Sequence, residues 1–420
     1  MAYSSIVTDK TAYTAGGAIK VTVTLKDSYE NLVGGQRDAI NQAIQLPNTK
    51  AESIAWNEDQ KGIYTATYTA LLPGTGLKAQ LQMSGWASAL TSNDYSISGD
   101  AASAQIVAMQ VTTGNPDVLA NGSDRHTVNV RVEDQFGNVL PEQTVTFTVT
   151  KGAAVFANAG QSADIRTDAH GMAEVDLSST VADASTVEAK INQSSDSKTV
   201  NFIADVSTAQ VAELVVTQDG SVADGSTANM LRVRVTDVFG NVLAGQTVSV
   251  LADNGATVAP TVITEPDGTV EISVTSQTAG TSAVTASINN SSQSRNVTFI
   301  ADVSTAQIAD LVVTRDNSVA DGAMANTLRV RVTDAFGNAL NGQTVSVLAD
   351  NGATVTPTVT TEPDGTVEIS ITSQTAGVSA VTATINSSTQ SQNVTFIADV
   401  RTAKIADLVV IKDDSVADGA

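Results

Sequence analysis

The stretch Leu231-Arg232-Val233-Arg234-Val235-Thr236-Asp237-Val238-Phe239-Gly240-Asn241 alternates for six residues and then breaks into turn chemistry. Leu231, Val233 and Val235 face one way and Arg232, Arg234 and Thr236 the other, a period of two that belongs to a strand with one dry face. The arrangement returns at Val248 and Val250, at Val270, Ile272 and Val274, and at Val284, Ala286 and Ile288. Asp224-Gly225, Asp253-Asn254-Gly255 and Pro266-Asp267-Gly268 punctuate these runs as turns. No stretch sustains a helical period of 3.6. About seven short strands, each wet on one side, find a stable solution in two antiparallel sheets packed face to face, so an immunoglobulin-like β-sandwich is expected. A closed barrel satisfies the alternation nearly as well.

Outward from this stretch the chain repeats itself. Residues 205–301 return as 302–398 with 18 differences in 97 positions, and the opening returns once more from Asp399. A period of this length is too long for a solenoid turn and fits one small domain. Four anchors set the register. The Asp-x-Phe-Gly-Asn turn occurs at Asp134–Asn138, Asp237–Asn241 and Asp334–Asn338; a hairpin glycine at Gly171, Gly268 and Gly365; a closing strand at Val200–Ala204, Val297–Ala301 and Val394–Ala398; and an Asp-x-x-Thr/Ser-Ala junction follows. The first repeat shows the pattern faintly, with Asp27, Tyr29 and Asn31 for the turn and Gly62 for the hairpin. The expected domains are therefore 1–99 (divergent), 100–204, 205–301 and 302–398, with 399–420 the opening strand of a further one. From Phe136 to Gly171 there are 35 residues against 29 from Phe239 to Gly268, which places a surface connection in that interval. Between Phe299 and Leu311 no glycine or proline intervenes, so closing strand runs into opening strand with little slack. With each sandwich roughly 40 Å long, four in a row would form an elongated rod on the order of 150 Å.

Composition narrows the function classes. Of 420 residues 42% are hydrophobic but only 4% aromatic, so the cores are built from valine, isoleucine, leucine and alanine, whose β-branched members favour strands. With no cysteine there is no disulfide and no thiolate chemistry, which suits a bacterial surface protein exported through a channel. A net charge of −22 repels nucleic acid and anionic lipid. No run of 18 apolar residues occurs, so this segment is not expected to insert into a membrane. Met1–Lys10 lacks the features of a signal peptide, and the chain reads as a piece of something longer.

Taken in order, Ala-Asp-x-x-Thr-Ala-Gln, then Ala-Asp-Gly, then Arg-Val-x-Val-x-Asp-x-Phe-Gly-Asn-x-Leu-x-Gly-Gln-x-Val, then Asp-Gly, then Asn-Val-x-Phe-Ile-Ala-Asp resembles the bacterial Ig-like group 1 repeats of the invasin and intimin family. The resemblance is close over 100–399 and looser over 1–99. It implies the passenger of an inverse autotransporter: an outer-membrane adhesin of a Gram-negative bacterium, anchored by a barrel and projecting Ig-like domains outward at the cell surface. It further implies a host-cell surface protein or glycan as partner, met through a tip domain absent from this chain, with the rod itself monomeric. The barrel, the periplasmic module and the cysteine-bearing lectin-like end of the full pattern are missing here, so no receptor contact transfers to any residue.

Candidate chemistry is sparse. His126 and His170 are the only neutral-pH bases, they occur in one repeat alone, and both are expected to be structural, His170 as a solvated turn residue. Glycines fall singly at turns, without a phosphate-binding loop. The recurring Asp205, Asp219, Asp224 and Asp237, with Asp302, Asp316, Asp321 and Asp334, suggest either junction calcium or local turn capping. Capping is the expectation. Trp56, Tyr64, Tyr68 and Trp86 make the first repeat aromatic-rich, to be read as sandwich core unless a pair is exposed as a contact face. Asn192, Asn290 and Asn386 begin Asn-x-Ser/Thr sequences and are assigned no modification. No catalytic, cofactor-binding or metal residue is therefore expected, and the chain reads as a non-enzymatic stalk. Two alternatives remain: repeats that bind host protein or glycan multivalently themselves, and accessory modules of a secreted carbohydrate-active enzyme.

Overall fold

The computed structural model describes residues 3–50 and 54–411. They form two compact units, Met1–Asp205 and Val206–Ala420, each containing two β-sandwiches. The third repeat serves as the template. Its strands are β1 (Gln210–Gln218), β2 (Ser221–Val222), β3 (Asn229–Thr236), β4 (Thr247–Ala252), β5 (Thr257–Val258), β6 (Thr261–Ile263), β7 (Thr269–Thr275), β8 (Gly280–Ile288) and β9 (Ser291–Ile300). They pair as a four-stranded sheet β1-β3-β7-β5 and a five-stranded sheet β2-β9-β8-β4-β6, which decides for the sandwich over the closed barrel. The opening strand is shared between the sheets: β1 runs antiparallel to β3, and after a corner at Asp219-Gly220 β2 runs parallel to β9. Gly220 sits there at φ +75°, a backbone state that a side chain would strain.

The alternation read in the sequence is the packing. Leu231, Val233 and Val235 are fully buried while Arg232 and Arg234 are exposed. Across from them Val248, Val250, Val284, Ala286, Val297 and Phe299 of the second sheet close the core. Each such valine or leucine contributes about 1.5–3 kcal/mol on burial, enough in sum for a domain without disulfide or metal. The fourth repeat has the same order and the same core through Leu328, Val330, Val332, Val345, Val347 and Phe396. In the second repeat Phe202 keeps the place of Phe299, and larger residues, Phe147, Phe156 and Leu177, fill the space that valines fill in the third. Its extra length lies where the spacing put it: residues 157–161 join Val155–Phe156 to Ser162–Arg166, whereas Ala259 and Pro260 alone join β5 to β6.

Three features depart from the expectation. The closing strand begins at Ser291, not Val297, because the polar run Ser291–Asn296 pairs residue for residue with β8 although it carries no apolar alternation. The first repeat contains an α-helix, Arg37–Ala43, and an additional three-stranded sheet of Ile44–Gln45, Gln80–Leu81 and Leu90–Thr91. Seven residues with one buried side chain, Ile40, are too few to show a helical period. After Asp399 comes a 3-10 turn, Val400–Thr402, and residues 403–411 form no ladder. In the third and fourth repeats the corresponding segment is an edge strand paired with the strand beyond Ala-Asp-Gly. The rest of the expected opening strand, 412–420, lies outside the described residues. Among the described residues no helix is long and apolar enough to cross a membrane.

Among the described residues three buried side-chain polar atoms meet no partner, Trp56 Nε1 in the first core and one pair of hydroxyls in the later ones. Ser282 and Ser379, at corresponding positions of the third and fourth repeats, are buried with hydroxyls that meet no partner. In the second repeat the corresponding Ser185 donates to Asp183 Oδ1 (3.1 Å) and accepts from Ala154 N–H (3.1 Å). Where Asp183 stands, the later repeats have Gly280 and Gly377, and the hydroxyl's acceptor is gone. Ser282→Ala should therefore stabilise its repeat by about 0.5–1 kcal/mol, while Ser185→Ala should destabilise the second by about 1 kcal/mol. Urea midpoints of the two variants against the parent chain check the opposite signs.

Candidate functional site at the repeat junctions

The Asp-x-Phe-Gly-Asn turn is built around one carboxylate. In the fourth repeat Asp334 Oδ1 accepts from Phe336 N–H (2.9 Å) and Asn338 N–H (2.8 Å), and Oδ2 accepts from the Asn338 side chain (2.8 Å). Gly337 takes φ +89° between them, which is why glycine stands there. Asp134 and Asp237 organise their turns identically. So does Asp27 in the divergent repeat, whose carboxylate accepts from Tyr29 N–H, Asn31 N–H and the Asn31 amide, with Glu30 forced to φ +70° in the glycine position.

Three further bonds at Asp334 and Asn338, and two at Asp134 and Asn138, turn this local motif into a joint. Asp334 Oδ2 also accepts from the backbone N–H of Asp302, the linker residue, at 3.1 Å, and Asp134 does the same for Asp100 at 3.0 Å. The asparagine then reaches into the preceding repeat. Asn338 Nδ2 donates to Gln277 O (2.9 Å) while its Oδ1 accepts from Ala279 N–H (2.8 Å); Asn138 Nδ2 donates to Leu71 O (2.8 Å). Pro73 occupies the position of Ala279 and has no N–H, so the first joint keeps one hook of the two. It adds packing instead: the Phe136 ring lies on Gly16, where a Cβ would come within 2.7 Å of it.

The linker is also held from its other side. Asp302 caps the turn Val303–Thr305 by accepting from Ser304 N–H, and Asn386 donates from a hairpin at φ +49° to Ala306 O (3.1 Å). In the second repeat Asp100 caps in the same way, and Asn192 donates to Ala101 O (3.1 Å). Asn192 and Asn386, noted for their Asn-x-Ser context, thus have their amides committed to backbone. The matching residue of the third repeat is Asn289, which donates to Ala209 O, rather than Asn290.

The remaining sequence candidates resolve one by one. Asp219 and Asp316 accept at 2.6 Å from Thr298 N–H and Thr395 N–H, pinning the corner to the closing strand. Asp224 and Asp321 cap Ala-Asp-Gly turns by accepting from pairs of N–H groups two and three residues on. Those donors hold both carboxyls below the usual aspartate range. Among the described residues no three acidic or histidine side chains gather as a metal cluster. His170 is exposed at its hairpin, 3.7 Å from Asp168. His126 is buried in its strand, with Nε2 2.8 Å from Asn201 O and its ring edge-on to Phe202. Asn229 and Asn326 fill its place in later repeats, donating to Thr298 O and Thr395 O, so the histidine is a strand latch. Trp56, Tyr64 and Tyr68 are buried in the first core, and half-buried Trp86 packs on it. What the sequence did not disclose is the outward role of the turn asparagine, because its partner is main chain in another repeat.

Residues 108–203, 211–300 and 308–397 each match the bacterial Ig-like domain (group 1). The chain belongs to that family. A relative outside the repeats themselves is the inverse autotransporter adhesin YeeJ of Escherichia coli (strain K12), 32% identical over 409 residues. The alignment takes in 94% of the chain and 17% of YeeJ, so the chain spans about a sixth of that protein's length. Among solved structures the chain is similar to invasin, a bacterial integrin-binding protein, at 23% identity over 70% of the chain and 60% of invasin, TM-score 0.38. The D0-D1 segment of intimin matches at 24% identity over 45% of the chain and 99% of the segment, TM-score 0.22. The kinship is to an Ig-repeat adhesin and not to an enzyme.

Asn338→Ala removes both hooks of the second unit's joint without touching a core, at a cost of about 1–3 kcal/mol in coupling between its repeats. Exchange of the Ala279 amide should accelerate, and one coupled melting transition of the unit should separate into two. The first joint carries a pH signature. Burial opposes charge on Asp134, but donors from Asn138, Asp100 and Phe136 outweigh it and hold its carboxyl below the ordinary value. A depressed folded value contributes stability above the unfolded pKa of about 3.9 and loses it as pH falls through the folded value. Melting temperature should thus stay level from pH 8 to about 5 and fall below about 4. Asp134→Asn should shrink that acid-side fall.

Proposed function

We propose that this chain is a length of the stalk of a bacterial surface adhesin, outside the outer membrane of a Gram-negative cell. On this reading 1–99, 100–204, 205–301 and 302–398 are four Ig-like domains, 399–420 opens a further one, and the array holds a distal binding module away from the envelope. That module meets a host-cell surface protein or glycan. No residue of these repeats is assigned a catalytic, cofactor or metal role.

The observation that carries the reading is the strapped linker. Asp302 N–H is bound by the following repeat, Ala306 O by the hairpin of that repeat, and the preceding repeat by the two hooks of Asn338. A linker whose polar groups are committed in this way resists bending, which a spacer needs and a flexible string of binders does not. The surface agrees. Leu251 and Leu348 recur exposed at 70% and 71%, but each stands alone across from a threonine, and Thr148 takes the place in the second repeat. Phe239 and Phe336, and Ile300 and Ile397, also recur exposed, but they stand in the turn and beside the linker, at the repeat ends, and the outer strand face carries scattered single leucines, which do not make a docking face.

Small-angle scattering of the chain and of a variant lacking residues 302–398 tests the extension: the maximum dimension should drop by roughly 40 Å, the length of one sandwich. Microspheres coated with the chain should fail to adhere to epithelial cells. Adhesion by the repeats alone would transfer the function to multivalent binding, and an unchanged dimension would remove the stalk.

A further inference from the structure

The hooks of both joints, two at Asn338 and one at Asn138, end on backbone atoms. Asn338 engages Gln277 O and Ala279 N–H, and Asn138 engages Leu71 O; the receiving tripeptides, Gln277-Thr278-Ala279 and Leu71-Leu72-Pro73, share no residue. The linker aspartate is likewise gripped by its N–H, which every residue but proline supplies. Nothing in this set of contacts reads a side chain of the preceding repeat.

The receiving loop is shaped by its own repeat before any neighbour arrives. Ser276 Oγ donates to Thr278 O and accepts from Thr278 N–H, both at 2.9 Å, which leaves Gln277 O and Ala279 N–H facing outward. Ser179 with Val181 and Ser373 with Thr375 build the same bracket in the second and fourth repeats at 2.8–2.9 Å. In the fourth repeat Gln374 and Ala376 are exposed, and Gln374 O and Ala376 N–H are not engaged among the described residues. Ala279, under Asn338, is half-buried by comparison.

We infer that the Asp-x-Phe-Gly-Asn turn is a docking surface whose partner is the tail loop of any repeat of this class, the asparagine hooks and the linker grip reading main chain alone, so that repeats are interchangeable in order. The tail loop Ser373–Ala376 is one such open receiver. This holds whether the array serves as stalk or as binder. An amide side chain suits the task because it offers a donor and an acceptor side by side, matching the carbonyl and N–H of a loop as a neighbouring strand would.

The test places repeats in an order the chain does not contain. A second copy of residues 205–301 is inserted between Ala398 and Asp399 of the full chain, which sets the copied Asn241 opposite Gln374 and Ala376 with the linker register intact. Exchange of the Ala376 amide, fast in the parent chain, should slow at least tenfold, and the copied Asn241→Ala should restore the parent rate. Exchange that stays fast, or that slows regardless of the asparagine, overturns the inference. A second chain covers the case in which the inserted repeat does not fold: excision of residues 205–301 joins Ala204 to Asp302 and presents Asn338 to Thr180–Ala182. There the Ala182 amide should be protected in an Asn338-dependent manner, and absence of that dependence overturns the inference equally.

Discussion

A single carboxylate holds turn, linker and neighbour together in each joint. Asp334 accepts from Phe336 N–H, Asn338 N–H, the Asn338 amide and Asp302 N–H, which fills both of its oxygens. Two of these bonds shape the turn, the third aims the asparagine, and the fourth captures the linker. Since the same oxygen atoms serve all four, the turn cannot form in its native shape without also presenting the hook. A buried anion would otherwise be expensive, and several N–H donors are the arrangement that makes it tolerable without a cation. This is also the physical reason the recurring aspartates need no calcium to explain them. Asp219, Asp224, Asp316 and Asp321 each spend their oxygens on nearby N–H groups.

How much of this was legible in the sequence depended on whether the signal was local. Alternation in Leu231–Val235 gave strand and face correctly because burial on one side is a period-two constraint felt by every residue, whereas Thr236, expected on the wet face, is buried with its hydroxyl donating to Asp237 O. The turn signature gave Gly240 and Asn241 their positions because a positive φ and an Asx bracket leave residue-type traces within five positions. Even Asp27-Ser28-Tyr29-Glu30-Asn31, which lacks the glycine, folds as its spacing indicated. By contrast Ser291–Asn296 hid a strand, since both its neighbours and its outward face are polar. Helix Arg37–Ala43 hid because one buried residue carries no period.

The harder failures concern residues whose partners are distant in the chain. His126 looks like a polar residue at a strand's threonine-rich start, yet it is buried because Asn201, 75 positions away, offers a carbonyl at 2.8 Å. Asparagine in later repeats makes the same bond, so the constraint at that position is a donor of the right reach, not a chemical identity. Asn338 is more deeply hidden, for its target is a peptide group 61 positions back. A main-chain target leaves no residue-type imprint on the partner, and no inspection of Gln277 or Ala279 would reveal that they are held.

That same invisibility bears on how an array of near-copies arises. The third and fourth repeats differ at 18 of 97 positions and keep the same loop, Ser-Gln-Thr-Ala, whereas the first joint receives its hook on Ala70-Leu71-Leu72-Pro73, with no serine bracket at all. Joints that matched side chain to side chain would require both faces to change together after each duplication. A joint that grips peptide groups lifts that requirement: a copied repeat brings a competent hook at one end and a competent receiver at the other. Proline at position 73 shows the limit of the tolerance. It removes the N–H and with it one hook, while the carbonyl of Leu71, which every residue possesses, still holds the other.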